Sequence, residues 1–256
     1  MVWLEHERYL GALEADARRF AEAVAAGKPG AEVESCPEWT LADLCRHQGT
    51  VHRWVLQIVR TRSQERISGA ELPDGHPPAE PVAQAEWLLR GASELADLLR
   101  ERGPAEPVWG WAAEQHTGFW ARRMAHETLI HRIDAEAAVG ALGPVDPVLA
   151  ADNIDELLHN AQAPQARAFP RRDRLRGDGG TLHLHCTDAP GEWLLRRTAE
   201  GFAYEERHAK ADAAVRAPAT ELMLLLNRRL PDGRNALEIH GDPAVLDLWL
   251  DGLTFS

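Results

Sequence analysis

Residues 40–61 read TLADLCRHQGTVHRWVLQIVRT, and their pattern is that of one capped, amphipathic helix. The stretch opens on Thr40 and Asp43, whose T-x-x-D spacing is typical of a capping box at a helix N-terminus. A seam of residues then recurs at alternating spacings of three and four, which predicts the face that meets a bundle interior. The seam consists of Leu44, His47, Val51, Trp54 and Ile58. A histidine therefore lies at a position predicted to face inward.

Helical spacing of apolar residues extends to both sides of this stretch, from Val2 to about Val139. Breaks rich in Gly and Pro divide the region into four segments. These breaks are Gly27–Pro37, Leu72–Pro81 and Gly103–Trp111. Four amphipathic segments with three connections predict an antiparallel four-helix bundle.

The pattern changes after Gly143 and Pro144. A further helix is predicted at Pro147–Ala161, and after the polar segment Gln165–Gly180 an alternating pattern indicates β-strands. The predicted strands are Thr181–Cys186, Glu192–Thr198, Phe202–Glu206, Ala211–Ala217 and Leu237–His240, with helices at about Ala219–Arg229 and Pro243–Asp251. We therefore predict two domains, an all-α domain at residues 1–143 and an α+β domain at residues 146–256.

The composition excludes some classes of protein. Forty acidic residues against 28 basic ones give a net charge of -12, which is opposite to the charge that nucleic-acid binding requires. The longest apolar runs, such as Leu222–Leu226, are far shorter than the roughly 20 residues of a membrane-spanning helix, and nothing near the start resembles a signal peptide. The three cysteines form no C-x-x-C pair. We expect a soluble, cytoplasmic protein without nucleic-acid or membrane partners.

A candidate metal site follows from polar residues on predicted inward faces. On the fourth helical segment the same seam spacing selects Trp120, Met124, Glu127, His131 and Asp134. An ionised Glu in an apolar interior costs several kcal/mol unless its charge is compensated, and neutral imidazoles compensate it poorly. A divalent cation would resolve this, since two His and one Glu are a ligand set of catalytic zinc with an open fourth position. The predicted ligands are His47, Glu127 and His131.

Each of these residues also has a plainer interpretation. His47 could be a hydrogen-bonded core histidine, and Glu127 with His131 could be a simple i,i+4 pair on a solvated face. Their coincidence on two separate helices favours the metal. Asp134, one turn beyond His131, could accept a hydrogen bond from its imidazole, or it could pair with Arg132 or Arg53 instead.

Other histidines fit the site less well. His52 and His126 each lie five residues from a predicted ligand, about 140° around a regular helix, so we interpret both as lining or structural residues. His183 and His185 form an H-x-H pattern that can chelate a metal. Their alternation with apolar residues is better explained by a polar strand face.

Two stretches carry a resemblance to a known family. Cys36–His47 (CPEWTLADLCRH) and Arg123–Asp134 (RMAHETLIHRID) resemble the mycothiol-dependent maleylpyruvate isomerase family of the DinB/YfiT-like metalloenzymes. The family's first metal-binding His lies eight residues after the Trp of a W-[ST] motif, which matches His47, and its E-x-x-x-H matches Glu127 and His131. The resemblance covers nearly the whole chain. It implies a DinB-like four-helix bundle followed by an α+β domain similar to sterol-carrier proteins.

The resemblance also implies a chemistry. A Zn²⁺ or another divalent metal, with mycothiol as cofactor or co-substrate, would serve cis–trans isomerisation or S-transfer on a small electrophile that bears a carboxylate. A hydrolase using metal-activated water on the same scaffold, or a non-enzymatic protein that binds a small ligand, remain alternatives. We expect a monomer or a homodimer.

Overall fold

The computed structural model describes residues 3–69, 72–163, 169–230 and 237–254. The chain divides into two compact units, one covering Leu4–Pro144 and the other holding the described residues from Val145 onward. The domain limits predicted from the sequence, 1–143 and 146–256, lie on either side of this division.

The first unit is built from four long helices. Their bounds are α1 His6–Ala26, α2 Leu41–Thr61, α3 Pro81–Arg102 and α4 Thr117–Ala138. Helix α1 packs against α3 and α4, and α2 packs against the same two helices. All four helices were predicted in these places from the spacing of apolar residues. None of the helices within the described residues is long and apolar enough to cross a membrane.

The start of α2 is fixed by the predicted capping box. Thr40 Oγ1 accepts a hydrogen bond from the backbone N–H of Asp43 at 3.2 Å, and the Asp43 carboxylate accepts one from the backbone N–H of Thr40 at 3.0 Å. Two N–H groups that a helix leaves unpaired at its first turn are thereby satisfied. This cap sets where α2 begins, and hence where the later residues of the helix lie along it.

The predicted inward face of α2 is correct only in part. Its end residues Leu44 and Ile58 are fully buried, but His47, Val51 and Trp54 are only partly buried. Gln48, His52, Val55 and Val59, which the seam left out, are fully buried. Gln48 and His52 are tolerated in the interior because they bond to each other at 2.8 Å and both reach the Thr128 hydroxyl. His52 therefore lies inside the packed helices, and His47 lies at their edge.

Helix α4 is buried around almost its entire circumference. From Thr117 to Glu136 every residue except Glu127 is buried. Charged residues are accommodated by pairing: Arg132 donates to Asp16 at 3.1 Å and to Glu136 at 2.8 Å. A helix of this kind has no single inward face, so burial does not distinguish the seam of Glu127 and His131 from the other sides of α4.

The second unit is α+β, as predicted. Its elements are α5 Pro147–Gln162, a 3₁₀ turn Arg172–Leu175, β1 Thr181–Cys186, β2 Glu192–Thr198, β3 Gly201–Glu205, β4 Ala213–Ala217, α6 Ala219–Leu226, β5 Glu238–Gly241 and α7 Pro243–Gly252. The predicted elements agree within three residues at each end. The 3₁₀ turn was missed in the segment predicted as a polar interruption, of which residues 165–168 lie outside the described residues.

The described strands form one sheet in the order β3-β2-β1-β4-β5. Strands β1 and β4 are parallel, and the other neighbouring pairs are antiparallel. Leu182 and Leu184 of β1 are fully buried on one face, so His183 and His185 lie on the opposite face. His185 is paired with Glu192 of β2, which places that carboxylate on the same face as the two histidines.

Candidate metal centre

The structure brings the three predicted ligands together between α2 and α4. A nitrogen of His47, a nitrogen of His131 and a carboxylate oxygen of Glu127 all lie within 4.8 Å of one another. His47 Nε2 is 3.4 Å from Glu127 Oε1, and His131 Nε2 is 3.5 Å from the same oxygen. The two imidazole rings stand at 80° with their centroids 5.1 Å apart. We call these three residues the helical cluster.

The second oxygen of Glu127 is held by an arginine. Arg123, one turn earlier on α4, donates to Glu127 Oε2 at 3.0 Å. Burial acts to raise the pKa of Glu127, but hydrogen bonds from His131 and His47 and the charge of Arg123 outweigh it and hold that pKa well below its usual range. The carboxylate is therefore ionised near neutral pH, with Oε1 directed at the two imidazoles.

The His131 ring is oriented from its other side by Asp134. His131 Nδ1 lies 2.9 Å from Asp134 Oδ2, and Ser35 Oγ donates to Asp134 Oδ1 at 2.5 Å. Of the partners that the sequence allowed for Asp134, the structure shows His131. Arg132 instead pairs with Asp16 and Glu136. A carboxylate on Nδ1 fixes the ring and leaves Nε2 available, which is the arrangement common in metal-binding histidines.

Protonation of His131 is the alternative to a cation at this site. Burial acts to lower the pKa of His131, but hydrogen bonds to Asp134, Cys36 and Glu127 and the charge of Glu127 outweigh it and raise that pKa well above its usual value. An imidazolium at His131 and a divalent cation therefore balance the same negative charge. A cation bound at His131 Nε2 would have to displace that proton.

The loop before α2 supplies one wall of the site. The Trp39 ring lies 4.9 Å from the His47 ring and 6.4 Å from the His131 ring, nearly parallel to the latter at 27°. Cys36 Sγ lies 3.7 Å from Asp134 Oδ2. The sequence pattern alone does not assign Ser35, Cys36 or Arg123 to the site. Arg123 could have been found from its i,i+4 spacing to Glu127, whereas the loop residues carry no such signal.

The donor set fits a borderline divalent cation. Two imidazole nitrogens and one carboxylate oxygen are typical of open zinc sites, and imidazole also suits copper, iron and nickel. Cys36, His131 and Asp134 form another group within 4.8 Å of one another. In that group the Asp134 carboxylate is already occupied by Ser35 and His131. The helical cluster is therefore the better candidate.

The fold and the site together define a class of protein: a helical unit that holds a His–Glu–His cluster, followed by an α+β unit with a mixed sheet. The family model described as the mycothiol maleylpyruvate isomerase N-terminal domain matches residues 10–136, and that of the C-terminal domain matches residues 148–248. The chain belongs to the mycothiol maleylpyruvate isomerase family.

Solved structures support the fold. The crystal structure of the mycothiol-dependent maleylpyruvate isomerase matches with a TM-score of 0.54 and 13% identity, covering 92% of this chain and 93% of that one. A histidine-to-alanine mutant of that isomerase matches with the same values. A UbiJ-SCP2 ubiquinone synthesis protein covers 44% of this chain and 93% of its own at 22% identity, with a TM-score of 0.31 that is too low to support an inference. No curated protein matches the chain.

Proposed function

We propose that this protein is a metal-dependent enzyme that uses mycothiol as cofactor or co-substrate. Its reaction is cis–trans isomerisation of, or S-transfer to, a small electrophile with a carboxylate. The observation that carries the proposal is the convergence of His47, Glu127 and His131 within 4.8 Å, in a member of the mycothiol maleylpyruvate isomerase family. The thiol-dependent isomerase part is supported by the family, and the metal part is supported by the donor set.

The metal that we propose is Zn²⁺ or another divalent ion held by the helical cluster. When bound, such an ion supplies a Lewis acid that lowers the pKa of a coordinating thiol, so that a thiolate is available at neutral pH. Two neutral imidazoles and one carboxylate leave a net positive charge on a divalent ion. That charge favours an anionic ligand such as a thiolate.

The surrounding residues position the ligands. Arg123 holds one oxygen of Glu127, so the other oxygen keeps its direction toward the two imidazoles. Asp134 and Ser35 hold the His131 ring. Trp39 packs beside His47, with the two ring centroids 4.9 Å apart. These contacts reduce the rearrangement that ligand binding would require, which is how a preorganised site gains affinity.

We also propose the finer architecture that the sequence predicts. The helical unit would be a DinB-like antiparallel four-helix bundle, and the α+β unit would be a domain similar to sterol-carrier proteins. The packing of α1 and α2 each against α3 and α4 supports the first, and the two family matches at residues 10–136 and 148–248 support domains at 1–143 and 146–256. A monomer or homodimer in the cytoplasm stays a prediction from the sequence.

The proposal is tested by assaying the purified protein with maleylpyruvate. Initial rates are measured with and without mycothiol, and with and without a chelator that is then back-titrated with Zn²⁺. We expect a rate that needs both the thiol and the metal. A rate that needs metal but no thiol would replace the proposal with a hydrolase that uses metal-activated water. No rate and no metal uptake would favour a small-ligand binding protein.

A further inference from the structure

A second group of histidines lies in the α+β unit, on the sheet face that the sequence predicted to be merely polar. It consists of His183 and His185 from β1, Glu192 from β2 and His208 from the segment after β3, and we call it the sheet cluster. One ligand atom from each of His183, Glu192 and His208 lies within 4.8 Å of the others. The ring centroids of His183 and His208 are 5.2 Å apart, and those of His185 and His208 are 6.3 Å apart.

Strand geometry explains why these side chains meet. The two-residue period of β1 puts His183 and His185 on one face, and the β1–β2 register pairs His185 with Glu192. His185 Nδ1 contacts Glu192 Oε1 directly, and His208 Nδ1 lies 3.1 Å from the same oxygen. One carboxylate oxygen is thus approached by two imidazoles from different segments of the chain.

His183 is the residue that a polar strand face does not explain. It is 5% exposed, and among the described residues nothing forms a hydrogen bond with its Nε2. A buried polar atom without a partner costs about 1–3 kcal/mol. Glu192 does not satisfy this nitrogen, because its contacts within the cluster are with His185 and His208. The sheet cluster therefore combines a buried histidine that has one unpartnered ring nitrogen with a carboxylate and two further imidazoles. Such a group of side chains can hold a metal ion.

We infer that the sheet cluster is a second metal site, for a divalent transition ion such as Zn²⁺. His183, Glu192 and His208 supply three ligands, which is the number that a zinc site with one open position uses. Imidazole-rich sets select zinc, copper or nickel, whereas Mg²⁺ and Ca²⁺ require oxygen ligands. The site is separate from the helical cluster, because it is built entirely within the α+β unit.

An ion bound here would join three segments that are separate in sequence. Strand β1, strand β2 and residues 206–212 would share one ion, so binding stabilises the folded α+β unit. A cavity of about 450 Å³ is lined by His185 and Glu192 together with Trp193 and Arg207.

The test is a calorimetric titration of the metal-free, full-length protein with ZnCl₂. We expect two equivalents in the wild type and one in Glu127→Ala, in which the helical cluster is lost. In the Glu127→Ala background, His208→Gln should weaken the remaining binding by about tenfold or more. His208 has a side chain that is 79% exposed, so its replacement leaves the packing intact. His240→Gln, which alters an exposed histidine on β5 of the same sheet, is the matched control and should change nothing.

A thermal melt provides the second measurement. Zn²⁺ should raise the Tm of the Glu127→Ala protein and of its His240→Gln derivative. The Tm of its His208→Gln derivative should rise much less. The inference is overturned if no second equivalent binds, or if His208→Gln and His240→Gln bind Zn²⁺ equally. If only the helical cluster failed, the wild type would bind one equivalent that His208→Gln still weakens, so the two sites can be judged independently.

Discussion

The helical cluster and the sheet cluster are both built from histidines and a glutamate. They differ in which groups balance the charge and satisfy the hydrogen bonds of these side chains when no metal is bound. In the helical cluster Glu127 contacts Arg123 and two imidazoles, and His131 is held at Nδ1 by Asp134. In the sheet cluster His183 keeps a buried Nε2 to which no described residue bonds. In the helical cluster, a proton on His131 balances the charge of Glu127 when no cation is bound. The sheet cluster leaves a buried nitrogen unsatisfied when no cation is present.

The largest effect should come from removing a ligand of the helical cluster. We expect Glu127→Gln and His47→Ala to lower the mycothiol-dependent rate with maleylpyruvate by about 10²-fold or more, because each replaces a ligand of the proposed metal. Initial rates at saturating thiol measure this. His76→Ala, an exposed histidine of the same unit, is the control and should keep the wild-type rate. Equal rates in all four proteins would refute the assignment of the helical cluster.

A smaller effect is expected from the residue that orients His131. Asp134→Asn keeps the size of the side chain but weakens its hydrogen bond to His131 Nδ1, so zinc affinity should fall by about 10- to 100-fold. Competition with a chelator of known affinity measures the change. Asp97→Asn, at an exposed carboxylate paired with Arg100, should leave the affinity unchanged. An Asp134→Asn protein with wild-type affinity would mean that Asp134 contributes only packing.

His52 is a fully buried histidine outside both clusters, and its environment differs from theirs. Burial, with a further contribution from the charge of Arg53, lowers the pKa of His52 to about 3. The unfolded chain, with an ordinary pKa near 6.5, binds a proton that the folded protein does not, so stability should fall as pH drops from about 6.5 toward 3. The loss is at most roughly 1.4 kcal/mol per pH unit from this group.

Urea unfolding between pH 5 and pH 7 measures that slope. The His52→Gln protein should lose less stability on acidification than the wild type, although it is less stable at pH 7 because its contacts to Gln48 and Thr128 change. Parallel curves for the two proteins would show that His52 does not carry the acid sensitivity.

The smallest effect concerns the three thiols. Burial raises the pKa of Cys45 to about 12, and burial likewise raises that of Cys186 to about 12. Both should stay unmodified when the native protein is treated with iodoacetamide at pH 7.5, because the thiolate is the reactive form. Cys36 is partly exposed beside the helical cluster and should be alkylated first. Peptide mass spectrometry after a short reaction identifies the site, and early labelling of Cys45 would contradict the packing of α2.

Local signals account for the parts of the fold that could be predicted from sequence. The Thr40 capping box and the apolar spacing located the helices, and the alternation in Thr181–Cys186 located β1, because both depend on neighbouring residues. The full buried face of α2 was not predictable from apolar spacing, because it includes two polar residues, Gln48 and His52. These residues can be buried because their side chains form a hydrogen bond with each other. The burial of α4 on all sides was not predictable either. Its charged residues, such as Arg132, are buried because they pair with residues distant in the sequence, such as Asp16.

The two clusters also differ in how far local sequence signals reveal them. Glu127 and His131 lie four residues apart on one helix, so two of the three residues of the helical cluster can be recognised from local spacing. Glu192 and His208 reach the H-x-H of β1 only through strand register and the path of the chain after β3. Those depend on pairing between distant segments, which composition and periodicity do not reveal.

We propose that the helical cluster holds a metal, and the metal content of the purified protein tests this most directly. Elemental analysis follows dialysis against Zn²⁺ and then against metal-free buffer. It compares wild type, Glu127→Ala and His76→Ala. We predict that Glu127→Ala holds one equivalent less than the wild type and that His76→Ala holds the same amount. Equal metal content in a folded Glu127→Ala protein and the wild type would contradict the account.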